Sequence, residues 1–108
     1  DSTVSVLLNS GNGTFAPKLD YPTGSGPVSV TARDLNADGQ PDLAVANADS
    51  GGVSVLLNSG NGTFAPKLDY PTGNLPNSVA AADLNGDAKP DVITSNMESK
   101  SVTVLLAQ

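Results

Sequence analysis

Apolar and polar residues alternate with a period of two along most of this chain. Val4, Val6 and Leu8 share one side of an extended segment, and Val53, Val55 and Leu57 repeat the pattern. The period is not the 3.6 of a helix, so strands are expected throughout and helix is expected to be negligible. Each of these segments is followed by Ser-Gly-Asn-Gly, where Asn12-Gly13 and Asn61-Gly62 supply the positive-φ pair favoured in tight hairpins. The next strand is expected to alternate Phe15, Pro17, Leu19 and Tyr21 against Ala16, Lys18 and Asp20, its proline marking a sheet edge. Lys18 and Lys67 on that strand read as solvated edge charges. Pro-Thr-Gly then turns the chain into a strand of small and branched residues, Val28, Val30 and Ala32 in one place and Val79 and Ala81 in another. The runs Leu43-Ala44-Val45-Ala46 and Val92-Ile93-Thr94 read as strands buried on both faces.

These elements recur because the chain repeats itself. VSVLLNSGNGTFAPKLDYPTG occupies residues 4–24 and again 53–73, a spacing of 49 residues. After that the copies drift, and VTVLL at 102–106 opens a third copy. Such uneven identity points to a recent duplication or an engineered chain. Each repeat holds about four short strands in up-and-down order, the size and content of one β-propeller blade. The expected fold class is therefore all-β, with two blades of four antiparallel strands spanning residues 1–108. The full blade is expected from about 27 to 70, and the chain is circularly permuted relative to the blade. Strand three then occurs at both ends, at 4–8 and at 102–106, so one copy is expected to be redundant unless the chain is cut from something longer. Two blades cannot close a ring of roughly four to eight, so completion by association is expected.

Composition narrows the core and the chemistry. Only 4% of the 108 residues are aromatic, so the core must be built from Val, Leu and Ala, which suits packed sheets better than a large cavity. No cysteine and no histidine are present. Disulfides are thus excluded, and an enzyme is not expected, because the usual thiol nucleophile and general base are missing and Ser50 and Ser99 have no visible activating partner. Eleven acidic residues against five basic ones give a net charge of −6. That balance makes nucleic acid a poor partner. No apolar run is long enough to span a membrane, and no basic-then-apolar leader stands at the start.

The charge is concentrated in two stretches, DLNADGQPD at 34–42 and DLNGDAKPD at 83–91, which hold six of the aspartates. Acidic or amide side chains stand at relative positions one, three, five and nine, and residues two apart in a curled loop point to the same inside. Asp34, Asn36 and Asp38 would supply side-chain oxygens, Gln40 a backbone carbonyl and Asp42 a closing carboxylate; the second loop offers Asp83, Asn85, Asp87, the Lys89 carbonyl and Asp91. Oxygen-only ligation suits calcium, with no thiolate or imidazole to favour zinc or copper. Asx-rich turns between strands would account for one such stretch, but two at equivalent positions favour metal. The bend after the third ligand wants positive φ, which Gly39 supplies and Ala88 does not, so the second loop is expected to be weaker or differently bent.

DLNADGQPDLAVAN with the GVSVLLNSGNGTF that follows, and DLNGDAKPDVITSN with VTVLL, make the repeat resemble the FG-GAP or VCBS repeat of bacterial surface proteins and of the integrin alpha-subunit head. The resemblance covers essentially the whole chain. It implies a four-stranded blade whose acidic loop, between its first and second strands, binds Ca2+ through the ten loop positions just named. It also implies a structural or protein-interaction scaffold outside the cell or at its surface, meeting partners through loops such as 48–52 and 71–76. Copies of the chain itself are the expected partners, a trimer giving six blades or a tetramer eight. The alternative from another class is a carbohydrate-binding lectin, for which Tyr21 and Tyr70 are the aromatic candidates, although both fit better as packing anchors. Arg33 has Ala82 as its counterpart and takes no repeat-wide role.

Overall fold

Each segment with a period of two contributes a strand, in places over only part of its length. The structure, a computed structural model, describes residues 2–106. Its strands are β1 (Thr3–Val6), β2 (Leu19–Pro22), β3 (Pro27–Arg33), β4 (Asp42–Asn47), β5 (Gly52–Leu56), β6 (Leu68–Pro71), β7 (Pro76–Ala82), β8 (Asp91–Asn96) and β9 (Ser101–Leu105). They form three antiparallel sheets, β1-β2, β3-β4-β5-β6 and β7-β8-β9. The fold is all-β, with no helix among the described residues. In particular, no helix there is long and apolar enough to cross a membrane.

One strand is shorter than its alternation suggests. The segment expected to run from Phe15 to Tyr21 enters the ladder only at Leu19, and Phe15 makes an isolated bridge with Asn9, as Phe64 does with Asn58. Pro17 and Pro66 offer no N–H, so a ladder cannot continue through them. Lys18, exposed, and Lys67, partly exposed, stand just before the edge strands β2 and β6, and each also pairs with the aspartate two residues on, Asp20 or Asp69.

The core lies between the second and third sheets. Ala44 and Ala46 on β4 stand opposite Val55 and Val53 on β5, and this face packs on Val79 and Val92, with Leu35, Leu57 and Leu105 closing around it. Alanine on β4 lets the neighbouring sheet approach closely, and each valine so buried is worth about 1.5–3 kcal/mol of transfer free energy. Arg33 joins the same two sheets, its Nη1 donating to the Ala81 carbonyl at 3.0 Å. That is a structural role which the lack of a counterpart at Ala82 had hidden.

The opposite face of β4 and β5 carries buried Val45 and Leu56 beside buried Asn47 and Ser54, and its polar end meets the turn that leaves β2. Ser54 Oγ accepts from Gly24 N at 3.0 Å and from Asn47 Nδ2 at 2.9 Å, and donates to Asp69 Oδ1 at 2.7 Å. Gly24 must be glycine here: a Cβ would stand 2.6 Å from Ser50 Oγ and 2.8 Å from Asn47 Nδ2. The first sheet also touches the second through Tyr21, whose ring meets Phe64 edge to face with centroids 5.4 Å apart.

The two Ser-Gly-Asn-Gly hairpins have one sequence and two conformations. In the second, Gly60, Asn61 and Gly62 all have positive φ; in the first, Gly11 and Gly13 do and Asn12 does not. The expected Asn-Gly pair therefore forms only at Asn61-Gly62. Their surroundings differ too: a Cβ on Gly62 would fall 2.8 Å from Leu8 Cδ2 of the first hairpin, whereas one on Gly13 would meet nothing within 4 Å.

Candidate metal-binding loops

Each acidic loop leaves the first strand of its sheet and enters the second, so Asp42 and Asp91 begin β4 and β8. Anchored in the sheet, these two aspartates are fully buried. Asp42 Oδ2 accepts from Leu35 N at 2.8 Å, and its Oδ1 accepts from Asn58 N at 2.8 Å. Asp91 Oδ2 takes the equivalent bond from Leu84 N at 2.9 Å. A buried carboxylate is tolerable because charged acceptors make the stronger hydrogen bonds.

The first aspartate folds the loop around itself. Asp34 Oδ2 accepts from Gly39 N at 2.8 Å and its Oδ1 from Asp38 N at 3.2 Å. Asp83 does the same with Ala88 N at 2.8 Å, Gly86 N at 2.9 Å and Asp87 N at 3.3 Å. The Gly39 N–H is the main reason that the Asp34 carboxyl is held below its ordinary pKa, and the Ala88 N–H plays that part for Asp83.

The bend corrects one expectation. Ala88 takes φ 67° where Gly39 has 83°, and at the fourth position Ala37 has 64° where Gly86 has 77°. The two loops are thus bent alike, each with one glycine and one alanine in the left-handed region at exchanged positions. Asp83 holds the second loop in that shape through the backbone bonds just described, overriding alanine's reluctance.

Side chains converge as their spacing requires. Carboxylate oxygens of Asp34, Asp38 and Asp42 lie within 4.8 Å of one another, and so do those of Asp83, Asp87 and Asp91. The Asn36 carboxamide stands among the first three: its inward end lies 2.9 Å from Asp38 Oδ1 and 3.2 Å from both Asp34 Oδ1 and Asp42 Oδ2, within donating distance when that end is the nitrogen. Asn85 stands 2.9 Å from Asp87 Oδ1 and 3.2 Å from Asp83 Oδ1 in the same way. Turned nitrogen-inward, either amide donates to the carboxylates; turned oxygen-inward, it offers a ligand atom to a cation. Gln40 and Lys89 join through the backbone, their N–H groups donating to Asp38 Oδ1 at 2.9 Å and Asp87 Oδ1 at 3.0 Å. A donor set of hard oxygens with no nitrogen or sulfur ligand type fits calcium.

The FG-GAP-like repeat family model matches residues 1–45 and 34–94. The chain belongs to the FG-GAP-like repeat family. No curated protein and no solved structure matches it. Within this FG-GAP-like chain, sequence reasoning missed Asn58, which clamps the first loop from the end of β5: its N–H serves Asp42 and its Nδ2 donates to the Pro41 carbonyl at 2.9 Å. The only available signal was the recurrence of asparagine at 9 and 58, just after the third strand of each repeat.

Proposed function

We propose that this chain is a calcium-binding module of a β-propeller. Each repeat forms one four-stranded blade, and the whole chain, residues 1–108, carries two blades in circularly permuted order. Calcium would be held by Asp34, Asn36, Asp38, Asp42 and the Gln40 carbonyl, and in the second repeat by Asp83, Asn85, Asp87, Asp91 and the Lys89 carbonyl. The observation that carries this reading is the convergence of three carboxylates and one amide on a single point, twice, in loops of the same bend. Bound there, a divalent cation would relieve carboxylate repulsion at the point where the first two strands of a sheet join. Its role is structural. Copies of the chain would associate into a ring of six or eight blades, presenting its loops as a protein-interaction scaffold outside the cell.

The carbohydrate reading gains no comparable support. The polar cleft of about 490 Å3 beside Asn47, Lys67 and Asp69 has Tyr70 as the one aromatic among its lining residues, and Tyr70 alternates along β6 with Asp69, whose carboxylate is the group that reaches Ser54. Tyr21 is already packed on Phe64.

The test is thermal melting in calcium and in chelator. At a calcium concentration ten times Kd each site adds about 1.4 kcal/mol, which for a chain of this size raises Tm by roughly 4–8 °C per kcal/mol. An Asp34→Asn/Asp83→Asn double variant should lose the rise. Identical melts of the parent chain in millimolar calcium and in chelator would sink the proposal.

A further inference from the structure

The first and third sheets are complementary fragments of the second, and their exposed surfaces match. Val102 and Val104 on β9 occupy the places of Val53 and Val55 on β5, yet they are 62% and 46% exposed where the β5 pair are 0% and 8%. Val30 on β3 holds the place of Val79 on β7 and is 50% exposed against 7%. Inside the chain these two kinds of face already pack on one another, Val53 and Val55 against Val79. The same holds for two aromatic residues. Tyr21 packs on Phe64, whereas their repeat equivalents Tyr70 and Phe15 are 43% and 57% exposed.

We infer that two copies of this chain join by strand exchange: the free edge of β9 in one copy takes β2 of the second copy, displacing that copy's own β1. The inference rests on the self-association proposed above and specifies its junction. Ladder register supports it, because β5 pairs with β6 through Val53 with Tyr70, Ser54 with Asp69 and Val55 with Leu68, and β2 carries the same Leu-Asp-Tyr-Pro as β6. Val102, Thr103 and Val104 would meet Tyr21, Asp20 and Leu19 in that register. Thr103 is prepared for it: its Oγ1 accepts from Gly73 N at 3.1 Å and Asn96 Nδ2 at 2.7 Å, as Ser54 Oγ accepts from Gly24 and Asn47. Ser54 donates its proton to Asp69, while the Thr103 hydroxyl donates to none of the described residues. Asp20, now accepting from Ser5 Oγ at 2.6 Å, is the matching acceptor.

β1 is the strand that yields. It pairs only with β2, in a two-stranded sheet of the kind that is marginal alone, whereas β9 is backed by β8 and β7. Exchange replaces one four-residue ladder with its equivalent and buries the exposed valines and the Tyr70–Phe15 pair. The contact is head to tail, so it propagates or closes into a ring.

The experiment is light scattering across a concentration series of the 108-residue chain, run in calcium and in chelator. Four species are compared: the parent, Val102→Asp/Val104→Asp, Phe15→Ala, and a chain lacking residues 1–6. The parent is expected to associate. The double aspartate variant, altered only at positions exposed in the single chain, should keep its melt and weaken association at least about a hundredfold. Phe15→Ala should weaken it about tenfold, and removing the competing β1 should tighten it about tenfold. Hydrogen exchange should quicken at residues 3–6 and slow at 101–105 as the parent associates. A parent that stays monomeric while calcium raises its Tm overturns the exchange and leaves the metal loops standing. Association that the aspartates do not weaken, or that loss of residues 1–6 abolishes, also overturns it. Association with the expected variant pattern and no response to calcium would support the exchange while the metal reading fails.

Discussion

Asn47 and Asn96 occupy equivalent ends of β4 and β8, and only one has a satisfied carbonyl oxygen. Asn96 Oδ1 accepts from Thr94 Oγ1 at 3.0 Å, but the residue in that place in the first repeat is Val45, and Asn47 Oδ1 has no partner among the described residues. Asn47, Val45 and Thr94 are each about 1% exposed. An unmet buried acceptor costs about 1–3 kcal/mol. Reciprocal substitutions should therefore differ in sign from ordinary core changes. Val45→Thr, which elsewhere would bury a lone hydroxyl at about 1–3 kcal/mol, here supplies the missing donor and is expected to be neutral or to stabilise by about 1 kcal/mol. Thr94→Val removes the only donor to Asn96 Oδ1 and should cost about 1–2 kcal/mol. Guanidinium unfolding of both variants at fixed calcium, with m-values checked for constancy, measures the difference. Val45→Thr costing as much as Thr94→Val would refute the reasoning.

Three further outcomes follow from the loops and strand pairs. Ala37→Gly and Ala88→Gly, each relieving one left-handed alanine, should stabilise by about 0.5–1 kcal/mol after the added flexibility of the unfolded chain is counted, measured by chemical unfolding in chelator. Asp42→Asn would turn an amide N–H toward Leu35 N or Asn58 N and should cost about 2–3 kcal/mol by the same measurement, whereas exposed Asp49→Asn should change little. Asp20 and Asp69 are held below the ordinary 3.8, first by Lys18 and Lys67 and then by Ser5 and Ser54. Since the folded pKa is the lower one, their stabilising effect is complete above the unfolded value of 3.8 and is lost as pH falls from there through the folded pKa, so the metal-free Tm should be level from about pH 7 to 5 and drop below about pH 4.

Much of this architecture was legible because the sequence states it twice. Strand positions follow from alternation, and the acidic loops from oxygen-bearing residues at odd spacing. Local rules failed where a longer-range partner decides the outcome. The Phe15 segment looks like a strand until Pro17 is asked for a hydrogen bond that it cannot make. Ala88 looks incapable of its bend until Asp83 is seen gathering the N–H groups around it. Asn58 serves Asp42 from sixteen residues downstream, beyond any pattern within the loop. Arg33 was set aside for having no counterpart, which says nothing about its reach to Ala81.

The duplicated hairpins make the molecule its own control. One string of residues sits at 4–24 in a two-stranded sheet and at 53–73 in a four-stranded one, and it adopts a different turn in each place. Any spectroscopic difference between an atom and its twin then measures environment alone, with composition and local sequence held constant. Paired resonances that merge when the sheets are pulled apart would time the docking of one repeat on the next.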